Sequence, residues 1–258
     1  MRLSRIAFAL AAATTFGSTS LPAQKMLVRQ PSAYLGYGYG NSYWNEFTGI
    51  FNSAFGASNI NQVNAIGSGA LAGYSALMLT LPNLPDSPYV LSASEASEIT
   101  TFLNGGGRMY VFGENDAWTA WNTSIANLVG GTVGGSYSGI ALPNFSTGIL
   151  QGVGSVNYPA GGAFTSLGTS GLSLFNTNVA ALFGPTNNAL FILDVNLCDD
   201  SNIGSAGNRQ FCRNIGGFLN GTIPPVATAA PEPATFALFG GGLSLIGLAA
   251  RRRRRATA

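Results

Sequence analysis

The chain has 258 residues, twelve basic against ten acidic, a formal net charge of +2, no histidine and two cysteines. The missing histidine removes Ser-His-Asp and Cys-His nucleophile systems and every His-ligated zinc or iron site, and two cysteines are too few for a Cys-rich metal centre. Between residues 25 and 226 five basic residues face nine acidic ones, so the positive excess belongs to the two ends and the body has no basic stripe for nucleic acid.

The first 24 residues read as a secretory signal peptide. Arg2 and Arg5 form a basic start, Ile6 to Phe16 an apolar stretch, and Gly17 to Gln24 a polar run toward a cleavage site. Such a segment implies passage through the Sec export machinery and a compartment that permits disulfides.

Residues 25–221 carry the signals of an α/β domain. Lys25 to Gln30 reads as a first strand, and the Gly-Tyr alternation from Leu35 to Gly40 as a loop. Trp44, Phe47, Ile50, Phe51 and Phe55 then recur at three- and four-residue spacing, which predicts a helix from about Asn41 or Ser42 to just before Gly56. Asn59 to Val63 is a short strand and Ala76 to Leu81 a strong buried one. Ser92 or Ser94 offers an N-cap, with Glu95 and Glu98 placed to complement the helix dipole, and the helix ends at Asn104-Gly105-Gly106-Gly107. Arg108 to Gly113 is the next strand, followed by a helix over Trp118 to Val129. Residues 130–188 are Gly- and Ser-rich with short apolar runs, which predicts an irregular β-rich excursion with one brief helical stretch around Thr177 to Phe183. Ala189 to Val195 is a strong strand and Gly207 to Leu219 the closing helix. Strands alternating with helices of this length predict a parallel sheet covered on both faces.

The runs YSALMLTLP, FLNGGGRMYVFGEND and ALFILDVNLCDDS together resemble the flavodoxin-like, class I glutamine amidotransferase-like fold. That family places a nucleophile in the tight turn after the strand matching Arg108 to Gly113. Here the turn reads Gly113-Glu114-Asn115-Asp116, with neither Cys nor Ser, and the family's histidine is missing. The resemblance therefore implies the fold and not the reaction.

Residues 222–230 form a Pro/Ala/Thr linker. Beyond it come Pro231-Glu232-Pro233, seventeen uncharged residues from Ala234 to Ala250, and Arg251, Arg252, Arg253, Arg254 and Arg255. At about 1.5 Å per residue the apolar stretch spans roughly 25 Å, near the short end of a transmembrane helix, and the arginine tail would stay cytoplasmic. This arrangement resembles the PEP-CTERM sorting signal of Gram-negative bacteria. The resemblance implies a membrane-embedded exosortase as partner, with the body facing away from the cytoplasm and ending at the cell surface or outside the cell.

Three clusters within the body bear on chemistry. Cys198 and Cys212 form the pair expected of an exported chain, a disulfide closing a loop of about 15 residues and contributing roughly 3 kcal/mol. Glu114 and Asp116 follow one strand while Asp194 and Asp199 follow another, so hard oxygen ligands for Ca²⁺ would converge there if the two strands are neighbours. The same residue types also make caps and Asx-turns. Tyr34, Tyr37, Tyr39, Tyr43 and Trp44 could stack on sugar rings or fold over the sheet edge. Three functions are compatible with these features: a non-catalytic surface or extracellular-matrix protein with exopolysaccharide as a partner, an extracellular carbohydrate-binding module, and a hydrolase pairing Glu114 with Asp194 or Asp199, since glycosidases need no histidine.

Overall fold

The computed structural model describes residues 24–30, 37–82 and 89–226. Residues 1–23 of the expected signal peptide, Tyr34, the span 234–250, and the sorting residues Pro231, Glu232, Pro233 and Arg251 to Arg255 lie outside the described residues. Among the described residues no helix is long and apolar enough to cross a membrane.

In chain order the elements are β1 (Met26–Arg29), α1 (Asn45–Phe55), β2 (Ile60–Val63), β3 (Ala76–Leu79), α2 (Ala93–Asn104), β4 (Arg108–Phe112), α3 (Thr119–Asn127), β5 (Thr132–Ala141), β6 (Val156–Ser166), β7 (Leu172–Ser173), β8 (Ala180–Phe183), β9 (Ala189–Ile192) and α4 (Asn208–Asn220). Seven strands form one sheet in the order β2-β1-β3-β4-β9-β8-β7, and β5 pairs with β6 separately. The five strands from β2 to β9 are parallel; β8 and β7 are antiparallel to their neighbours. The parallel sheet expected from the sequence is thus present over five strands, and part of the β-rich stretch extends it with an antiparallel edge. β7, β8 and β9 are joined by connections too short for a crossover helix, so they can only meander. The brief helix expected over Thr177 to Phe183 is likewise β8, all four of whose residues are buried.

From β1 the chain moves outward to β2, whereas from β3 it moves the opposite way to β4 and β9. Right-handed crossovers then put α1 on one face of the sheet and α2 and α3 on the other. Side chains agree. Phe47 of α1 meets the rings of Tyr110 and Phe112, which alternation sends to one face of β4. Gly216 lets α4 approach Ile50 of α1, where a Cβ would have to displace the isoleucine.

Two contacts tie the layers together. Arg29, 1% exposed at the end of β1, donates from Nε to Glu95 Oε1 at 2.7 Å and from Nη2 to Glu95 Oε2 at 3.2 Å, while the Tyr89 ring lies 4.0 Å from its guanidinium carbon. Ser92 and Glu95 form a capping box at the start of α2, so one carboxylate both caps the helix and holds the buried arginine. Burial alone would raise the Glu95 carboxyl; Arg29 and the Ser92 and Ile66 amides outweigh it and hold the pKa below the usual range. Cys198 and Cys212 are bonded, their Cα atoms 6.1 Å apart, and this bridge fastens the loop after β9 to α4. Two residues past Cys198, Asp200 accepts from the amides of Asn45 at 3.1 Å and Glu46 at 2.9 Å, capping α1 from across the sequence.

Because the Arg29–Glu95 pair is buried, Glu95→Gln should cost about 3–5 kcal/mol by leaving the guanidinium uncompensated. The double variant Arg29→Met, Glu95→Leu should recover much of that loss. Thermal melts check both; a double variant as unstable as the single one would contradict the account.

Candidate functional site

The strands that carry the two acidic clusters are neighbours. β4 pairs in register with β9, Phe112 opposite Ile192, and the Gly113 amide extends the ladder to Ile192 O at 2.8 Å. Carried two residues further, the same register sets Glu114 beside Asp194 where an open α/β sheet binds its ligands.

Both side chains are shut away, Glu114 2% exposed and Asp194 not exposed at all. Glu114 Oε2 accepts from the Val195 amide at 3.0 Å, and Oε1 accepts from the backbone amide of Asn115 at 3.0 Å and its Nδ2 at 3.1 Å. Asp194 Oδ1 accepts from the Asn196 amide at 2.9 Å and Oδ2 from the Ala160 amide at 3.2 Å. Each of the four carboxylate oxygens therefore serves at least one protein donor. Asn122 of α3 fixes the turn behind Glu114, accepting from its amide at 3.2 Å and donating to its carbonyl at 2.7 Å.

The lid over the pair is the chain itself. β6 crosses the strand ends with Gly161 against Leu193 and Asp194, and Gly162 against Glu114; a Cβ at either glycine would collide with backbone oxygen. The Gly162 amide donates to Leu193 O at 2.5 Å, and Asn115 Nδ2 reaches Ala160 O at 3.4 Å. Tyr110 and Tyr158 lie fully buried alongside, their hydroxyls without a hydrogen-bond partner. Burial first, and the Asp194 charge second, hold both phenols well above their ordinary pKa.

The other two acids expected here are spent elsewhere. Asp116 accepts from Ser136 Oγ of β5 at 3.1 Å, and Asp199 folds its own loop, accepting from the amides of Ser201 at 3.0 Å and Asn202 at 2.8 Å. Glu114 and Asp194 thus lie side by side at the strand ends, while Asp116 and Asp199 bond to Ser136 and to their own loop, Asp199 still close enough for its charge to raise the Asp194 pKa further. Among the described residues no group of three or more His, Cys, Asp or Glu could hold a metal ion. Asp200, which belongs to the same polar cluster after β9, turns away from the pair, and only chain-distant geometry reveals it as the cap of α1.

The aromatic set divides in the same way. Trp44 is 2% exposed with Nε1 donating to Val195 O at 3.3 Å, Tyr39 donates to Asn52 Oδ1 at 2.8 Å, and Tyr37 packs 5.3 Å from Trp44. Tyr43, 70% exposed, presents its ring to solvent.

At the other end of the chain the PEP-CTERM protein-sorting motif matches residues 229–255. This chain carries a PEP-CTERM sorting signal. The motif implies export and membrane-anchored sorting in Gram-negative bacteria, with processing by an exosortase. No curated protein matches the sequence. Among solved structures the body is similar to the mmIFT52 N-terminal domain (13% identity, TM-score 0.60, 76% of this chain and 97% of that one). It is also similar to a putative ThuA-like protein from Bacteroides uniformis (12%, 0.52, 79% and 94%). A third neighbour is a glutamine amidotransferase from Methylobacillus flagellatus (9%, 0.51, 81% and 99%). These likenesses concern the fold, and they agree with the amidotransferase-like resemblance of the body.

Burial, with their mutual repulsion adding to it at Asp194, raises Glu114 to about 7 and Asp194 to about 8. In the unfolded chain both ionise near pH 4, so folding takes up protons between about pH 4 and 8 and stability falls as pH rises through that window. Glu46, Glu95 and Asp200, whose pKa values are lowered, act oppositely at the acid end. The melting temperature should drop by several degrees from pH 5 to pH 8.5, and Asp194→Asn should flatten the slope. An unchanged slope in that variant would show that the pair is not the titrating group.

Proposed function

We propose that the protein is a non-catalytic cell-surface or extracellular-matrix component. It is exported through a signal peptide at 1–24, held in the inner membrane by a helix at 234–250 with Arg251 to Arg255 on the cytoplasmic side, and freed by an exosortase acting at the Pro231-Glu232-Pro233 signal. The observation that carries the non-catalytic part is the closure of the strand-end crevice by β6, with the Glu114 and Asp194 oxygens engaged by protein donors. The alternative hydrolase needs two carboxyls flanking an open cleft with room for a sugar, which favours the structural reading of this pair. A further reading, contact with exopolysaccharide, draws on the solvent-facing ring of Tyr43, whose backbone is fixed by the Asn41 side chain on one side and the Asp200 amide on the other.

Replacing Pro231, Glu232 and Pro233 with alanine should leave full-length precursor in the membrane fraction, read by the mass of the accumulated protein; processing unchanged from wild type would sink the sorting assignment. The purified protein should release no sugar from a panel of glycosidic substrates. Turnover that is abolished by Glu114→Gln in a variant with a wild-type melting curve would overturn the non-catalytic reading.

A further inference from the structure

The domain ends close to its membrane signal. Ile223 donates to Gly217 O at 3.0 Å, Arg108 Nη1 donates to Ile223 O at 3.2 Å, and Val226 is 3% exposed. Gly148, in the left-handed region at φ 61°, packs directly on the backbone of Pro225 and Val226. The chain is therefore docked as far as Val226, and only residues 227–230 precede Pro231. At about 3.3–3.6 Å per residue, Val226 lies within roughly 18 Å of the proline.

Near this exit the domain exposes apolar side chains. Ile140, near the end of β5, is 54% exposed and Leu142, directly after the strand, 53%, while Ala141 between them is fully buried, so the alternation turns both outward. Leu142 is held there on both sides, its amide donating to Asn176 Oδ1 at 2.9 Å and its carbonyl accepting from the Asn176 amide at 2.9 Å. Leu142 stands six positions before Gly148, so it lies within about 22 Å of the exit. The segment that carries them is electrically neutral: from Ala117 to Leu193 the sequence contains no charged residue.

We propose that in the membrane-held form this flank rests on the bilayer, with Ile140 and Leu142 inserted at the level of the lipid headgroups. The short tether brings the flank to the surface and the two aliphatic side chains orient it, so that the Pro231-Glu232-Pro233 segment is presented in a fixed geometry. Two side chains are a weak hold by themselves, so cleavage of the tether releases the domain. The inference rests on the reading of 234–250 as a membrane-spanning helix.

The test uses the full-length chain in vesicles of zwitterionic phosphatidylcholine. Because both native cysteines are bonded to each other, Leu142→Cys supplies a single thiol for an environment-sensitive fluorophore, and Ser97→Cys on α2 supplies a control on the opposite face of the sheet. A quencher carried on the lipid headgroup should quench the label at 142 at least threefold more than that at 97, without change in 1 M salt. Adding Ile140→Ser to the Leu142→Cys chain should lower the quenching about twofold while leaving the melting curve in place. Equal quenching at 142 and 97 in a chain that floats with the vesicles and resists carbonate extraction overturns this inference alone. A chain that does not float overturns the anchor reading and this inference with it.

Discussion

Two adjacent glycines in β6 decide what this sheet can do. Gly161 and Gly162 have no side chain, so the β6 backbone lies directly on Leu193, Asp194 and Glu114, and the crevice at the carboxyl ends of β4 and β9 is filled by the protein's own chain. Everything nearby follows from that contact. The Ala160 amide becomes a donor to Asp194, Glu114 ties the turn after β4 to the start of the next turn at Val195, and Tyr158 is carried into the core beside Tyr110. The fold keeps the layout of an open α/β sheet while the place where such sheets take ligands is shut.

The cost of that closure is two buried carboxyls whose charged forms are desolvated. Backbone amides offset part of it, and the remainder is met by holding a proton on the pair near neutral pH. At the same end of the sheet, two strands away on β1, Arg29 and Glu95 solve the same problem with opposite charges, and there Glu95 stays ionised because its partner is a guanidinium and its helix is capped by the same carboxylate. The disulfide and Asp200 act together: by fixing the loop after β9 to α4, the bridge also fixes the residue that caps α1.

How much of this was legible depends on the distance over which each signal acts. α2 was readable because Ser92, Glu95 and the Gly105–Gly107 stop lie within or beside the element itself, and β3 and β4 because unbroken apolar runs announce buried strands. The cysteine pair was readable by elimination, since an exported chain with two cysteines offers one pairing. Strand adjacency, the condition on which the carboxylate cluster hung, was not in the sequence; it required the sheet order. The role of Asp200 is set by a helix 154 residues earlier, and no local pattern marks it. β5 and β6 are legible only as a β-rich excursion, without bounds or pairing, because their Gly- and Ser-rich residues follow neither period, and Gly161-Gly162 reads as loop sequence until the backbone it touches is known. β8 reads as helix or strand alike because four consecutive buried residues suit either element.

The claim at the centre is that β6 closes the crevice as a permanent part of the core. Amide hydrogen exchange at Ala160 and Gly162 measures it most directly. A closed core predicts exchange as slow as that of Phe191 and Ile192 in β9, governed by global unfolding. Exchange orders of magnitude faster than those strand amides, under conditions where β9 stays protected, would show that the hairpin lifts from the strand ends and would contradict the account.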